Sequence, residues 1–169
     1  MIKQDEEFEK IISNIASNPY VLDMKNFRQH CDTNTYDHCY MVAYTCYKIC
    51  KWLNLDYVKA TRAGMLHDFY LYDWREKSTW HKWHAFKHGN FACLNASKVF
   101  DLSEKELSMI KTHMWPVTPI IPSSMEGIVI TIADKYCTTC ESLRYFFKLV
   151  NRNNMIRYAK AFLWVFILK

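Results

Sequence analysis

This sequence predicts an all-α fold, on three observations. Apolar residues recur at spacings of three and four along most of the chain. Two Ser-x-x-Glu patterns, Ser103 with Glu106 and Ser123 with Glu126, read as capping boxes that open helices. No stretch carries a convincing strand pattern, and only three residues are glycine. One domain over residues 1–169 is expected, long enough to bury a proper core.

The elements follow in order. Residues 5–16 form a first helix, with Phe8, Ile11, Ile12 and Ile15 on one stripe. Asn18-Pro19 breaks it, a short helical piece spans 21–27, and 29–34 reads as a polar loop. A long helix covers 35–53, with Cys39, Val42, Cys46, Ile49 and Leu53 inward and His38 at the edge of that stripe. Asp56 caps the next helix, whose inward positions are Ala60, Ala63, Gly64 and His67. Residues 69–82 are aromatic and charged without a period, so they read as a loop. A helix over 85–100 places His88, Phe91, Ala92, Asn95 and Val99 on one face. The helix opened by Ser103 ends near His113, which shares a face with Met109 and Ile110. Three prolines make a loop of 115–122. The β-branched run from Ile128 suits a strand or a helix; its capping signal and continuation through Cys140 favour the helix. A last helix is expected over 154–168.

Composition excludes several classes. The formal charge of +5 comes from scattered Lys and Arg, which suits acidic ligands and argues against a specific nucleic-acid binder. Seven cysteines are an odd number without the spacing of a secreted framework, and the first ten residues are charged, so a reduced cytoplasmic protein is expected. Cys46, Cys50, Cys137 and Cys140 read as packing residues. The apolar run 161–168 is too short to span a membrane; packing on the core or a homodimer contact suits it better.

The informative residues are His38, the adjacent His67-Asp68, His88, His113 and Asp134, all on core-facing or core-adjacent positions. A lone histidine on an apolar face is more often a core residue than a ligand, and Asp134 alone would equally suit a surface pair with Lys135 or Arg144. As a set they point to a metal. Asp134 follows the run Ile128–Ala133, where an unpaired buried carboxylate is costly. Imidazoles with carboxylates suit Mn, Fe, Co, Ni or Zn, one ion or two, and the absence of a four-Cys cluster argues against structural zinc.

In order and placement, Tyr36-Asp37-His38, Leu66-His67-Asp68, His88, His113 and Asp134 resemble the HD-domain superfamily of metal-dependent phosphohydrolases, in its HDIG-like branch. The likeness covers roughly residues 30–140. It implies a compact helical bundle with the metal between helices. It further implies His38, His67, Asp68 and Asp134 as ligands of one ion, with His88 and His113 as the extra histidines of the dinuclear branch. Asp68 would then bridge the ions and be central to catalysis. The implied reaction is hydrolysis of a phosphomonoester or phosphodiester, of a nucleotide or small metabolite, by metal-bound hydroxide. The chain departs from the pattern in reading Phe69-Tyr70 after the His-Asp pair, where one subgroup has Ile-Gly. It also lacks the Gly-Tyr-Pro signature of the cyclic-di-GMP branch, which argues against that substrate. The same ligands are similar to those of HD-type mixed-valent di-iron oxygenases, and a non-catalytic nucleotide-binding sensor is a third reading.

Substrate contacts are expected from Arg75, Lys82, His84 and Lys87, in or beside the aromatic loop. Tyr72, Trp74 and Trp115 could stack on a base or line the pocket. Asp37 and Asp73 are candidates for orienting imidazoles, Asp37 being equally a helix-start residue. His30 and His81 are expected at the surface.

Overall fold

Helix α3 (Thr35–Trp52) is the centre of the molecule, which a computed structural model describes over residues 5–75 and 83–152. α3 packs chiefly against α4 (Tyr57–Leu66) and then against α7 (Met125–Arg152). α1 (Glu6–Ala16) lies on α4, and α5 (His84–Val99) pairs with α6 (Glu104–Thr112), which in turn meets α4 and α7. With the short α2 (Pro19–Asp23) this makes seven α-helices among the described residues, so the helical fold predicted from periodicity is the fold observed. The expected helix at 154–168, with its apolar run, lies outside the described residues, as do Trp80, His81 and Lys82.

Side-chain caps set the helix starts. Asp5, Asn18, Asn34, Asp56 and Ser103 each accept a backbone N–H from the first turn of their helices. Ser103 and Glu106 form the predicted capping box. The second predicted box does not form. Ser124 accepts from Gly127 N at 3.2 Å, while Glu126 accepts from Asp56 N at 3.1 Å and pairs with Lys105 at 2.9 Å. Glu126 therefore ties the start of α7 to the starts of α4 and α6.

Four local expectations need correction. The segment read as a polar loop holds a small antiparallel ribbon, β1 (Arg28–His30) with β2 (Thr33–Asn34), and Gln29 on it is buried. The helical piece after Pro19 is α2 followed by a 3-10 turn, Met24–Asn26. On α3 the buried face is Thr35, His38, Cys39, Val42, Ala43, Cys46, Tyr47 and Cys50; Leu53 is exposed and Ile49 half-buried, so the stripe lies one position round from the one predicted. His38 thereby sits inside the core instead of at its edge. On α5 the buried face is His88, Gly89, Ala92 and Ala96.

The core joins Phe8 and Ile12 of α1, Val42 and Cys46 of α3, Ala63 and Leu66 of α4, Met109 and Ile110 of α6, and Ile130 and Ala133 of α7. Gly64 lets α4 approach α3 closely: a Cβ there would lie 3.1 Å from Ala43 Cα. Among the described residues no helix is long and apolar enough to cross a membrane.

An exposed polar cluster clips α1 onto α3 and α4. Glu7 accepts from Tyr47 and Tyr57, each at 2.8 Å, and pairs with Lys51. The Lys51 ammonium, then the two tyrosine hydroxyls, hold the Glu7 carboxyl at about 2 against an ordinary 4.5. A depressed acid stabilises the fold above its unfolded pKa and loses that contribution as pH falls through the folded one. In thermal melts, Glu7→Gln should therefore melt slightly below the wild type near neutral pH, with the gap closing between pH 4.5 and about 2. A gap independent of pH would show that the carboxylate is not the clip.

Candidate metal centre

Helices α3 to α7 each bring at least one candidate ligand to a common point. His38 comes from the first turn of α3, His67 and Asp68 from the end of α4, His88 from α5, His113 from the end of α6 and Asp134 from α7. All six are buried; His38 and His67 are 0 % exposed and Asp68 2 %. Their ligating atoms form three overlapping triads that can hold a metal ion: His38–His67–Asp68, His67–His113–Asp134 and Asp68–His88–His113.

Asp68 joins the two halves of the cluster. Its Oδ2 lies 3.3 Å from His67 Nε2, while Oδ1 lies 3.2 Å from His88 Nε2 and 3.4 Å from His113 Nε2. Asp134 Oδ1 lies 3.2 Å from His38 Nε2 and 3.8 Å from His67 Nε2.

The opposite face of each ring fixes its tautomer. His67 Nδ1 donates to Gly64 O at 2.8 Å, His88 Nδ1 to His84 O at 2.9 Å and His113 Nδ1 to Ile110 O at 2.7 Å. His38 Nδ1 donates to Glu141 Oε1 at 3.0 Å. With Nδ1 so engaged, Nε2 is the nitrogen whose lone pair a metal would take, displacing any proton on it. His67 and His113 are also the C-caps of α4 and α6, so their rings satisfy last-turn carbonyls that lack helical partners. Two helix C-termini at one point favour positive charge there.

The cluster tests well as a cation site. His67 Nε2 and Asp68 Oδ1 are buried without a hydrogen-bond partner. His88 Nε2 faces His113 Nε2 at 3.0 Å, a pair that can share one proton or ligate one cation. Charge balance shows in the acidities. Burial would raise the pKa of Asp68, but the imidazoles of His67, His88 and His113 hold it well below the usual range. Burial is likewise outweighed at Asp134 by His38 and His67. For His38, burial opposes the charged form, yet Asp134 and Glu141 push it up to about 10. Burial lowers His113.

A cavity of about 480 Å³ opens onto Asp68, His88 and Asp134. Trp74, Met114, Val117, Lys135, Thr138 and Thr139 also line it. His84 is at its wall: it stacks on His88 at 4.6 Å and on Trp74 at 5.6 Å, and its Nδ1 meets the Tyr72 hydroxyl at 3.0 Å. Arg75 and Lys87 are exposed and outside the described lining, Arg75 donating to Asp73 at 2.9 Å. Trp115 is exposed. Asp37 exchanges hydrogen bonds with Asn34, both at 2.8 Å, so it belongs to the start of α3.

Three further residues belong to the site. His30, expected at the surface, is half-buried on the cavity wall, its ring 5.4 Å from that of His38. Gln29 donates to Asp68 Oδ2. Glu141 is buried behind His38. Glu141 alone carried a signal, seven residues past Asp134 and so on the same helix face. No family model, curated protein or solved structure matches this chain.

Two substitutions test the geometry through Co²⁺ uptake. A Cβ on Gly89 would lie 2.8 Å from Lys111 O and 3.5 Å from His113 Cε1. Gly89→Ala should push α5 from α6, parting His88 from His113 and weakening uptake while the helical circular dichroism persists; unchanged uptake would refute the close-approach role. Glu141→Ala should weaken metal affinity about 10- to 100-fold, the usual cost of losing a carboxylate behind a ligating imidazole. Calorimetric titration reads it, and an unaltered affinity would show that Glu141 does not orient His38.

Proposed function

We propose that this chain is a metal-dependent phosphohydrolase of the HD type, acting on a phosphomonoester or phosphodiester of a nucleotide or small metabolite. The observation that carries the reading is Asp68, a buried carboxylate with one oxygen towards each half of a four-imidazole cluster, at the floor of an open cavity. That arrangement fits two ions held close together, and its nitrogen and oxygen donors suit Mn, Fe, Co, Ni or Zn. The ordered motif in the sequence supplies the hydrolase class.

When bound, such ions supply Lewis acidity and lower the pKa of water from 15.7 towards about 7. The chain's own residues do the rest. Asp68 and Asp134 supply the negative charge that balances the ions, and the Nδ1 hydrogen bonds hold four rings in the ligating tautomer. Lys135 on the cavity wall offers an ammonium to phosphate oxygens. His84, held by Tyr72 and two stacked rings, adds an imidazole to the cavity wall. Trp74 gives the cavity a flat apolar wall suited to a base or another ring.

Elemental analysis of protein purified without chelator or an affinity-metal column comes first, followed by a phosphatase panel across the same metals. About two ions per chain are expected, as in two-metal phosphatases. His88→Ala or His113→Ala should bring the ratio towards one. Asp68→Ala should lose metal and turnover with the helical spectrum kept; full metal and full turnover in that variant would sink the assignment. Iron with an O₂-dependent optical signal would replace the hydrolase by an oxygenase. Tight nucleotide binding without turnover would replace it by a sensor.

A further inference from the structure

Gln29 stands apart from the six ligands yet touches the one they share. It sits on β1, is 6 % exposed, and its Nε2 donates to Asp68 Oδ2. Its amide cannot be turned round. Asp68 is an acceptor, so it requires the NH₂ end, while Gln29 Oε1 accepts the hydroxyl proton of Tyr70. Thr35 Oγ1 lies 3.2 Å from the same Oε1 and divides its donation with Phe27 O at 3.1 Å. Tyr70 is buried beside Asp68. The chain Tyr70–Gln29–Asp68 is thus a directed relay of hydrogen bonds from the core to the carboxylate.

A carboxylate on a single bond turns readily, because its terminal torsion is broad. Asp68 has to present Oδ1 to His88 and His113 and Oδ2 to His67 at once. The structure assigns Gln29 as the positioning residue for Asp68: by occupying one lone pair of Oδ2, it locks the carboxylate plane in the bridging orientation and leaves Oδ1 and the other lone pair of Oδ2 for cations. Gln29 is no ligand, since its oxygen faces Tyr70 and its nitrogen carries protons. A glutamate there would set a second negative group against Asp68, and an apolar residue would free the plane to rotate. The inference rests on the metal-centre reading above and deepens it.

The test is Co²⁺ titration of the full chain followed by its visible d–d absorption, which reports ligand geometry and not stability. Gln29→Met keeps length and loses the donor. It should weaken Co²⁺ binding roughly 10- to 100-fold and alter the absorption band. Tyr70→Phe should shift both in the same direction by less, and the double variant should bind no worse than Gln29→Met, because Tyr70 acts through Gln29. Val21→Ala, a core substitution away from the cluster, should lower the Tm and leave the titration unchanged. A Gln29→Met titration and spectrum identical to the wild type would overturn the assignment. If that variant does not fold, Tyr70→Phe decides alone: weakened binding supports the relay, and unchanged binding and spectrum overturn it. A wild-type chain that takes up no Co²⁺ removes the metal centre and this inference together, whereas uptake indifferent to Gln29 removes only the inference.

Discussion

An ionised carboxylate cannot be taken out of water alone, and two lie at the point where the candidate ligands meet. Asp68 is 2 % and Asp134 8 % exposed. Removing each from water costs several kcal/mol before any partner is counted. Four imidazoles, two helix C-termini and one glutamine amide converge on these two groups, drawn from four helices and a ribbon. The packing of the helices is arranged around that convergence: α4 and α6 end at it, and α5 and α7 pass beside it.

Close approach is the second constraint. Imidazoles reach only a few ångströms from their backbones, so ligands on different helices meet only if the helices nearly touch. Gly89 lets α5 come against the last turn of α6, and Gly64 lets α4 come against α3. The same two contacts belong to the hydrophobic core, in which Ala43, Ala63 and Ala92 continue the small-residue surfaces. Core and site are therefore one packing problem, and its energy comes largely from apolar burial.

What the sequence revealed, and what it hid, divides along physical lines. Long amphipathic helices announce themselves by period, and α1, α3, α5 and α6 appear close to where their stripes place them. Asp134 was legible because a charge beside an apolar run demands a partner. Features made by tertiary contact were not. Nothing in Arg28–His30 separates a buried ribbon from a polar loop, since three residues carry no period and Gln29 is buried by its hydrogen bonds and not by hydropathy. His30 was misplaced for the same reason. Arg75 and Lys87 carry charge near an aromatic loop, but proximity in sequence does not bring them to the cavity wall. His38 was legible as a candidate but not as a fully buried one, because the buried stripe of α3 lies one position round from the apolar pattern.

The hydrogen bonds behind the four rings differ in reach, and the difference bears on how such a centre can arise and spread. For His67, His88 and His113 the acceptor is a carbonyl of the same helical turn, three or four residues back. Those turns carry their ring orientation with them, so a duplicated or transplanted helix end would arrive already set. His38 is different: its acceptor lies 103 residues away on another helix. Three of the imidazoles are portable parts, while the fourth is inherited only with the whole assembled chain. The first three orientations are set within one helical turn, whereas that of His38 depends on the packing of α3 against α7.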